Sequence, residues 1–336
     1  MRISIVICNY NYRQFVGRAI DSALDQTHAS VEVIVVDDGS TDASLQVIRA
    51  YGNRITCVEK TNGGQGSAYN AGFEICSGDA VLFLDADDWL YPHAAQRVAA
   101  AWKAGTSKVQ FTLDLVDAAG APMGRSVPRT MHDREAMELL RDFGAYGSPP
   151  ASGNVFAATF LRQVLPMDVG IWRTAADSVP ILLAPAFGDI VSLHAPLGAY
   201  RQHRRADDGS LLSNNAPTGL WHEFERIEWT KRYVERNLQA LGRAPRVPQM
   251  LAPWEARLAA LCARFGGTTQ DSQPRPRARH LMWFALKSVW KWPMSDVRLK
   301  SALSIWMFGV WLLPRPWAHR LARLHRASVG APTNAA

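Results

Sequence analysis

Two acidic clusters, Asp37-Asp38 and Asp85-Ala86-Asp87-Asp88, and one polar and aromatic run, Cys8-Asn9-Tyr10-Asn11-Tyr12, each directly follow a short apolar segment. Carboxylates brought together repel one another and raise one another's pKa. A divalent cation bound with a ligand that carries its own phosphates removes that conflict. Mg²⁺ and Mn²⁺ favour oxygen ligands and keep waters and substrate phosphates in their shell, so one or two protein carboxylates suffice. Asp87 and its neighbours can supply them, and the chemistry this points to is that of a metal–nucleotide complex.

The elements that must position these groups read as strand and helix in alternation. Residues 3–7, 31–36, 55–59 and 80–84 are apolar and rich in β-branched side chains, as in strands buried on both faces. Helix-length segments lie between them at about 15–25, 41–50 and 66–75, the second opened by Ser40 and Asp42. This order predicts right-handed βαβ units in an α/β, doubly wound, mostly parallel sheet. Such sheets bind ligands outside the carboxyl ends of their strands, where the polar runs fall.

Four ordered blocks carry a resemblance: Ser4 to Asn11; Glu32 to Asp42, which includes Asp37-Asp38-Gly39-Ser40; Asn62-Gly63-Gly64-Gln65-Gly66-Ser67-Ala68-Tyr69-Asn70-Ala71-Gly72; and Asp85-Ala86-Asp87-Asp88. Together they resemble glycosyltransferase family 2, strongly over about 1–115 and weakly over 150–210. The resemblance implies a GT-A fold, inverting chemistry, a nucleotide-sugar donor and Mn²⁺ or Mg²⁺. It implies donor contacts from Asn9, Tyr10 and Asn11, with Tyr10 packed on the base, and Asp38 accepting a base imino proton, as uracil would offer. Gly64 would allow close backbone approach before a helix whose first amides face phosphate. Asp85 and Ala86 would line the donor, Asp87 would bind the metal, and Asp88 would orient the loop. Many members carry an arginine where this chain has Tyr69, which shifts weight onto the metal.

Further along, Ile171-Trp172-Arg173-Thr174-Ala175-Ala176-Asp177-Ser178 resembles the family's acidic motif, with Asp177 as the base and Ala176 where an acid is frequent. Pro196 to His203 resembles the segment that returns to the donor site, with His203 contacting metal or diphosphate. The residues themselves leave other readings open. Asp177 also suits an N-cap of a helix over 178–187, Tyr10 a core-edge aromatic, Asp37 a cap or ion-pair partner, the glycines a tight turn and His203 an exposed structural histidine. Asn154 suits either an acceptor contact or turn chemistry.

Composition sets the remaining bounds. The 336 residues, 48% hydrophobic, suffice for a substantial core. The N-terminus enters a strand without a signal-like leader, which predicts a cytoplasmic protein. Cys8, Cys57, Cys76 and Cys262 have neither zinc nor disulfide spacing. The formal charge is +7, yet 275–326 holds eleven Lys/Arg against Asp296 alone, a local +10 that leaves −3 elsewhere. There Trp283, Trp290, Trp292, Trp306, Trp311 and Trp317 interleave with the cations, a pattern suited to an anionic membrane surface or to a basic helical hairpin with its tryptophans turned inward. The longest apolar run, 302–313, is too short to span a bilayer. No binding motif accompanies the charge, so nucleic acid is not expected.

The organisation expected is a catalytic domain over 1–215, divided near 115 into nucleotide-sugar and acceptor halves. Packing helices over 216–265, with Leu220, Phe224, Ile227, Val234, Leu238 and Leu241 at three-four spacing, a linker over 266–279 and a basic tail over 280–336 follow. The function expected is sugar transfer from a nucleotide-sugar, UDP-linked foremost, to a saccharide or lipid-linked saccharide acceptor in cell-surface glycan assembly, at the inner face of the membrane over 280–326. A non-catalytic nucleotide-sugar binder is the alternative. A nucleotidylyltransferase is disfavoured because the loop after strand one is Asn9-Tyr10-Asn11 rather than glycine- and lysine-rich.

Overall fold

A computed structural model describes residues 1–203, 219–243, 249–266, 277–293 and 296–330, the side chains of the last segment as far as 322. The expected domain boundary at 215 and most of the expected linker lie outside the described residues. The chain divides into two compact units, Met1–Met137 with Gly147–His203, and Glu138–Tyr146 with Arg204–Ala336.

The first unit is built on a nine-stranded mixed sheet ordered β3-β2-β1-β4-β8-β6-β9-β5, with β7 paired to β6. Its strands are β1 (Ile3–Asn9), β2 (Val31–Asp37), β3 (Thr56–Glu59), β4 (Ala80–Asp85), β5 (Trp89–Leu90), β6 (Thr106–Val116), β7 (Pro122–Val127), β8 (Asn154–Ala157) and β9 (Asp189–Arg201). β3, β2, β1 and β4 run parallel, as their near-continuous apolar sequences require. The antiparallel β8 joins them to β6, which pairs parallel with β9.

Crossovers between the parallel strands are α1 (Val16–Leu24), α2 (Ser44–Arg49) and α3 (Gln65–Glu74). In α1, Val16, Ala19, Ile20 and Ala23 recur at three-four spacing and are buried, joining Ile3, Ile5 and Ile7 of β1 in the main core. Helix α2 starts later than its sequence suggests. Asn11 Oδ1 accepts hydrogen bonds from the amides of Thr41 and Asp42, which holds these residues in the loop, and Asp42 Oδ1 takes the amide of Ser44. The unit also contains α4 (Ala94–Ala101), the start of α5 (Ala136–Phe143), α6 (Ala158–Val164) and α7 (Ser178–Leu183). The α-helix expected over 178–187 tightens to a 3-10 turn at Ala184–Ala186, where Pro185 has no N–H to continue the ladder.

The second unit is helical: α8 (Leu220–Ala240), α9 (Pro253–Phe265), α10 (Ala278–Lys291), α11 (Val297–Leu312) and α12 (Arg315–Gly330). It has its own core, in which Phe224, Ala256, Ala260, Leu286, Trp306 and Met307 are buried together. Within it Lys231 Nζ pairs with Glu255 at 2.5 Å and donates to the Met250 carbonyl at 2.8 Å. Burial still pushes the Glu255 carboxyl up, against the pull of Lys231.

Candidate active site

The parallel registers level the strand ends, so that Asn9 lies opposite Asp37 and Cys8 opposite Asp85. Three of the sequence blocks thereby share one edge. Asn9 is buried, and its Nδ2 donates to Asp37 Oδ2 (2.8 Å) and Ser40 Oγ (3.0 Å), while Asp37 Oδ1 accepts from the Ser40 amide (2.9 Å). Asn11, at φ 58°, bonds the second loop as described above. The carboxamide bonds of Asn9 and Asn11 thus bind the first two loops to each other. Tyr10 between them is 45% exposed, so it offers its ring to the solvent side of the edge and is not a core-edge aromatic.

Asp38 is buried and organises the third loop. Its Oδ1 accepts from Lys60 Nζ (2.6 Å) and the Gly63 amide (2.9 Å), and its Oδ2 from the Gly64 amide (2.7 Å). A carboxylate has about four acceptor sites, so about one remains for a ligand. Gly64 sits at φ 84°, ψ −179°, a conformation essentially confined to glycine. A Cβ there would lie 2.4 Å from the Arg173 carbonyl oxygen, and one on Gly66 2.5 Å from that of Trp172. These carbonyls accept from the amides of Gln65 and Gly66 at 2.9 Å each, and the Ala176 amide donates to Gln65 Oε1 at 2.9 Å. The first amides of α3, expected to face phosphate, therefore seat the loop that carries Asp177.

The fourth block closes the edge. Asp88 is fully buried, its Oδ2 accepting from Ser152 Oγ (2.6 Å) and its Oδ1 from the Arg201 amide (2.9 Å). The Arg201 guanidinium donates to the Asp87 carbonyl at 3.0 Å and lies over the Phe15 ring, 4.4 Å from its centroid. Ala86 is buried in the main core, so its side chain is turned away from the edge. Asp87 Oδ2 and His203 Nε2, both expected metal ligands, are hydrogen-bonded at 2.7 Å although 116 residues apart. The rings of Tyr12 and Phe15 flank the histidine at 6.0 and 5.5 Å between centroids.

Burial raises the Asp85 carboxyl well above its ordinary range, and the charges of Asp87 and then Asp177 raise it further. Burial, and then the charges of Asp87, Asp85 and Asp88, lift the Tyr12 hydroxyl to about 12. Asp177 thus lies close enough to Asp85 for its charge to be felt there, and its side chain makes no capping bond to α7. Tyr69 stacks on Phe83, with ring centroids 3.9 Å apart and an interplanar angle of 5°. Its hydroxyl is buried, with the Gln65 side chain as polar neighbour but no well-aligned hydrogen bond, and its pKa is raised by burial, by Asp85 and by Asp177 against the pull of Gln65. Asn154 is wholly buried and bonds the carbonyls of Pro149 and Pro150, which is the turn chemistry and not an acceptor contact.

Residues 4–153 match the family described as Glycosyl transferase family 2. An uncharacterized glycosyltransferase of Nostoc sp. is 34% identical over 255 residues, 74% of this chain and 79% of its own length. The chain belongs to glycosyltransferase family 2. Chondroitin synthase of Pasteurella multocida is 43% identical to this family member over 97 residues, 28% of this chain but 10% of that one. In fold, the protein is similar to S. aureus TarS 1-349 solved in complex with UDP, at 17% identity and a TM-score of 0.53, covering 98% of this chain and 92% of that one. The GT-A-type α/β fold expected from the blocks is thereby established, as is membership among the transferases.

Several contributors to this glycosyltransferase site escape a reading of the sequence. Lys60 had an available signal, since it directly follows β3 and so falls at the carboxyl edge. Ser152, Arg201 and the backbone of 172–173 had none, because their partners lie 64 to 113 residues away and no local spacing encodes them. Among the described residues no three His, Cys, Asp or Glu side chains gather as a metal cluster. No described helix is long and apolar enough to cross a membrane.

Proposed function

We propose that the protein transfers a sugar from a nucleotide-sugar, a UDP-sugar foremost, to a hydroxyl of a saccharide or lipid-linked saccharide, with inversion at the anomeric carbon. The meeting of Asp87 with His203 at 2.7 Å, beside the mutually repelling Asp85 and Asp177, carries this reading. A carboxylate oxygen and an imidazole nitrogen are a fitting donor pair for Mn²⁺ and a poorer one for the oxygen-seeking Mg²⁺, and the surplus of carboxylates is what a cation relieves. Asp87 and His203 would hold the ion, and two protein ligands suffice where diphosphate and water complete the shell. When bound, the metal supplies positive charge against the departing diphosphate.

The chain's own groups account for the rest. Tyr10 stacks the base, and the unused acceptor site of Asp38 takes its imino hydrogen. The binding of a TarS structure to UDP supports a uracil nucleotide at this edge. Asp177 accepts the acceptor hydroxyl's proton as the oxygen bonds to the anomeric carbon and the bond to the diphosphate breaks, releasing nucleoside diphosphate. Asp88, fixed by Ser152 and the Arg201 amide, keeps the acidic loop in register with β9.

The test is binding and turnover across UDP-, GDP- and dTDP-sugars with and without Mn²⁺. Metal-dependent binding of a UDP-sugar, abolished by Asp87→Ala, is expected, as is an Asp177→Asn variant that binds but turns over 10²- to 10⁴-fold more slowly, about the range of a general base. Absence of binding to every donor would overturn the nucleotide-sugar reading.

A further inference from the structure

The second unit presents a surface that sugar transfer does not use. From Ala302 to Leu312 helix α11 is apolar on every side apart from Ser304, which in water requires a partner on each side. One side has it, with Trp306, Met307 and Val310 buried in the helical core. On the other, Ile305 (71% exposed), Phe308 (39%) and Leu312 (71%) recur at three- and four-residue steps and face solvent. Trp283 of α10, 65% exposed, meets Phe308 edge to face with centroids 6.3 Å apart, which makes the face continuous between the two helices. Leu313 and Trp317, 40% and 60% exposed, extend it towards α12.

We propose that this face docks on the surface of an anionic lipid bilayer. Charge decides the occupant. Residues 275–326 carry eleven Lys/Arg and the single acid Asp296, and Lys287, Lys291, Arg298, Arg315 and Arg320 are exposed on the helices that bear the apolar face. Lys287 follows Trp283 by one helical turn and Arg298 precedes Ile305 by two, so cation and apolar group share a helix side. A second copy of the chain would set one such +10 region against another. An anionic leaflet attracts each cation near its surface by about 1 kcal/mol. At 16 residues α11 is about 24 Å long, short of the hydrocarbon thickness of about 30 Å, so it lies in the interface plane, with the exposed Trp283 of α10 and Trp317 of α12 at headgroup level. The docking does not depend on the sugar-transfer reading and stands or falls separately.

The experiment is co-sedimentation of the full chain with vesicles of phosphatidylcholine, alone or with one-third phosphatidylglycerol, in low and high salt, with tryptophan emission recorded. Binding that needs the anionic lipid, weakens in high salt and shifts the emission to the blue is expected. Ile305→Asp with Leu312→Asp should lower partitioning at least about tenfold while the thermal midpoint stays unchanged, because both side chains are exposed. As a second variant, Lys287→Glu with Arg315→Glu keeps the apolar face and should weaken binding to anionic vesicles alone. Failure to bind either vesicle, or binding indifferent to both variants, overturns the proposal. So does a lipid-free dimer by sedimentation velocity that the double aspartate variant dissociates, which would assign the face to a second copy.

Discussion

Replacing Gly64 with alanine tests how the third loop and the loop carrying Asp177 depend on each other. Two costs arise. The backbone at φ 84°, ψ −179° is strained for any residue with a Cβ, by about 1–3 kcal/mol. The new methyl would also stand 2.4 Å from the Arg173 carbonyl oxygen and 2.5 Å from its Cγ, distances that no rotamer relieves because the first contact is backbone. Loop 172–177 must then lift from α3, which breaks the bonds from Gln65 and Gly66 to the Arg173 and Trp172 carbonyls and from Ala176 to Gln65. At about 1 kcal/mol each these add up to about 3 kcal/mol. Lifting the loop sheds part of the backbone strain, so the net loss expected is about 3–4 kcal/mol, a fall of about 10 °C in thermal midpoint for a unit of this size. Asp177 moves with the loop, so kcat should fall about 10²-fold or more. The assay pairs calorimetry with donor turnover, and Gly105→Ala serves as control. Gly105 has a similar φ of 82° but nothing within 4 Å of its Cβ position, so strain alone acts there and turnover should persist. Unchanged turnover in Gly64→Ala, or an equal loss in both variants, would refute the close approach as the link between the loops.

Tyr69→Phe keeps the stack on Phe83 and deletes a buried hydroxyl whose polar neighbour Gln65 is poorly aligned to bond it, so urea denaturation should shift by less than about 1 kcal/mol; a larger loss would mean that Gln65 satisfies the hydroxyl. Lys108 is fully buried, its Nζ donating to Gln110 and Ser148, and burial holds its pKa well below 10.5. The unfolded chain then binds the extra proton between the lowered pKa and 10.5, so stability from this group rises with pH across that window. Relative to Lys108→Met, the wild-type thermal midpoint should climb as pH goes from neutral towards 10, and a parallel profile would contradict this. In the second unit, Lys231→Met strands Glu255 and should cost about 3–5 kcal/mol in denaturant unfolding, most of it recovered by adding Glu255→Gln.

The parallel half of the sheet and the position of its chemistry were legible because a strand buried on both faces is an uninterrupted apolar run, and the polar residues begin where it ends. That Asp87 and His203 meet followed from family resemblance, not from spacing. Asn9 and Asn11 look in sequence like ligand contacts, yet the carboxamide bonds seen here tie the two loops, because both loops leave neighbouring strands at one level and must satisfy each other's polar groups. The seating of α3's first amides on the 172–173 carbonyls was illegible for the complementary reason, since backbone groups leave no trace in residue type. In the basic tail, sequence left the tryptophans' direction open. Trp292 and Trp306 turn inward while Trp283 and Trp317 turn out, and a run such as 302–312 of α11, apolar apart from Ser304, has no periodicity to separate the two sides.

The lock on Asp88 has a consequence for the order in which the molecule is assembled. Its two partners lie in the turn before β8 and at the last residue of β9, and β5, which follows the acidic loop, pairs in the sheet with Gly198 and Ala199. A chain emerging from the ribosome as far as about residue 100 contains the whole parallel half, whose contacts are local enough to form early. It still lacks everything that fixes Asp87 relative to His203. The parallel half is therefore expected to fold before Asp87 and His203 can meet, so a chain terminated upstream of 189 should be ordered yet show no transferase turnover, an outcome that circular dichroism and a turnover assay on that fragment would check.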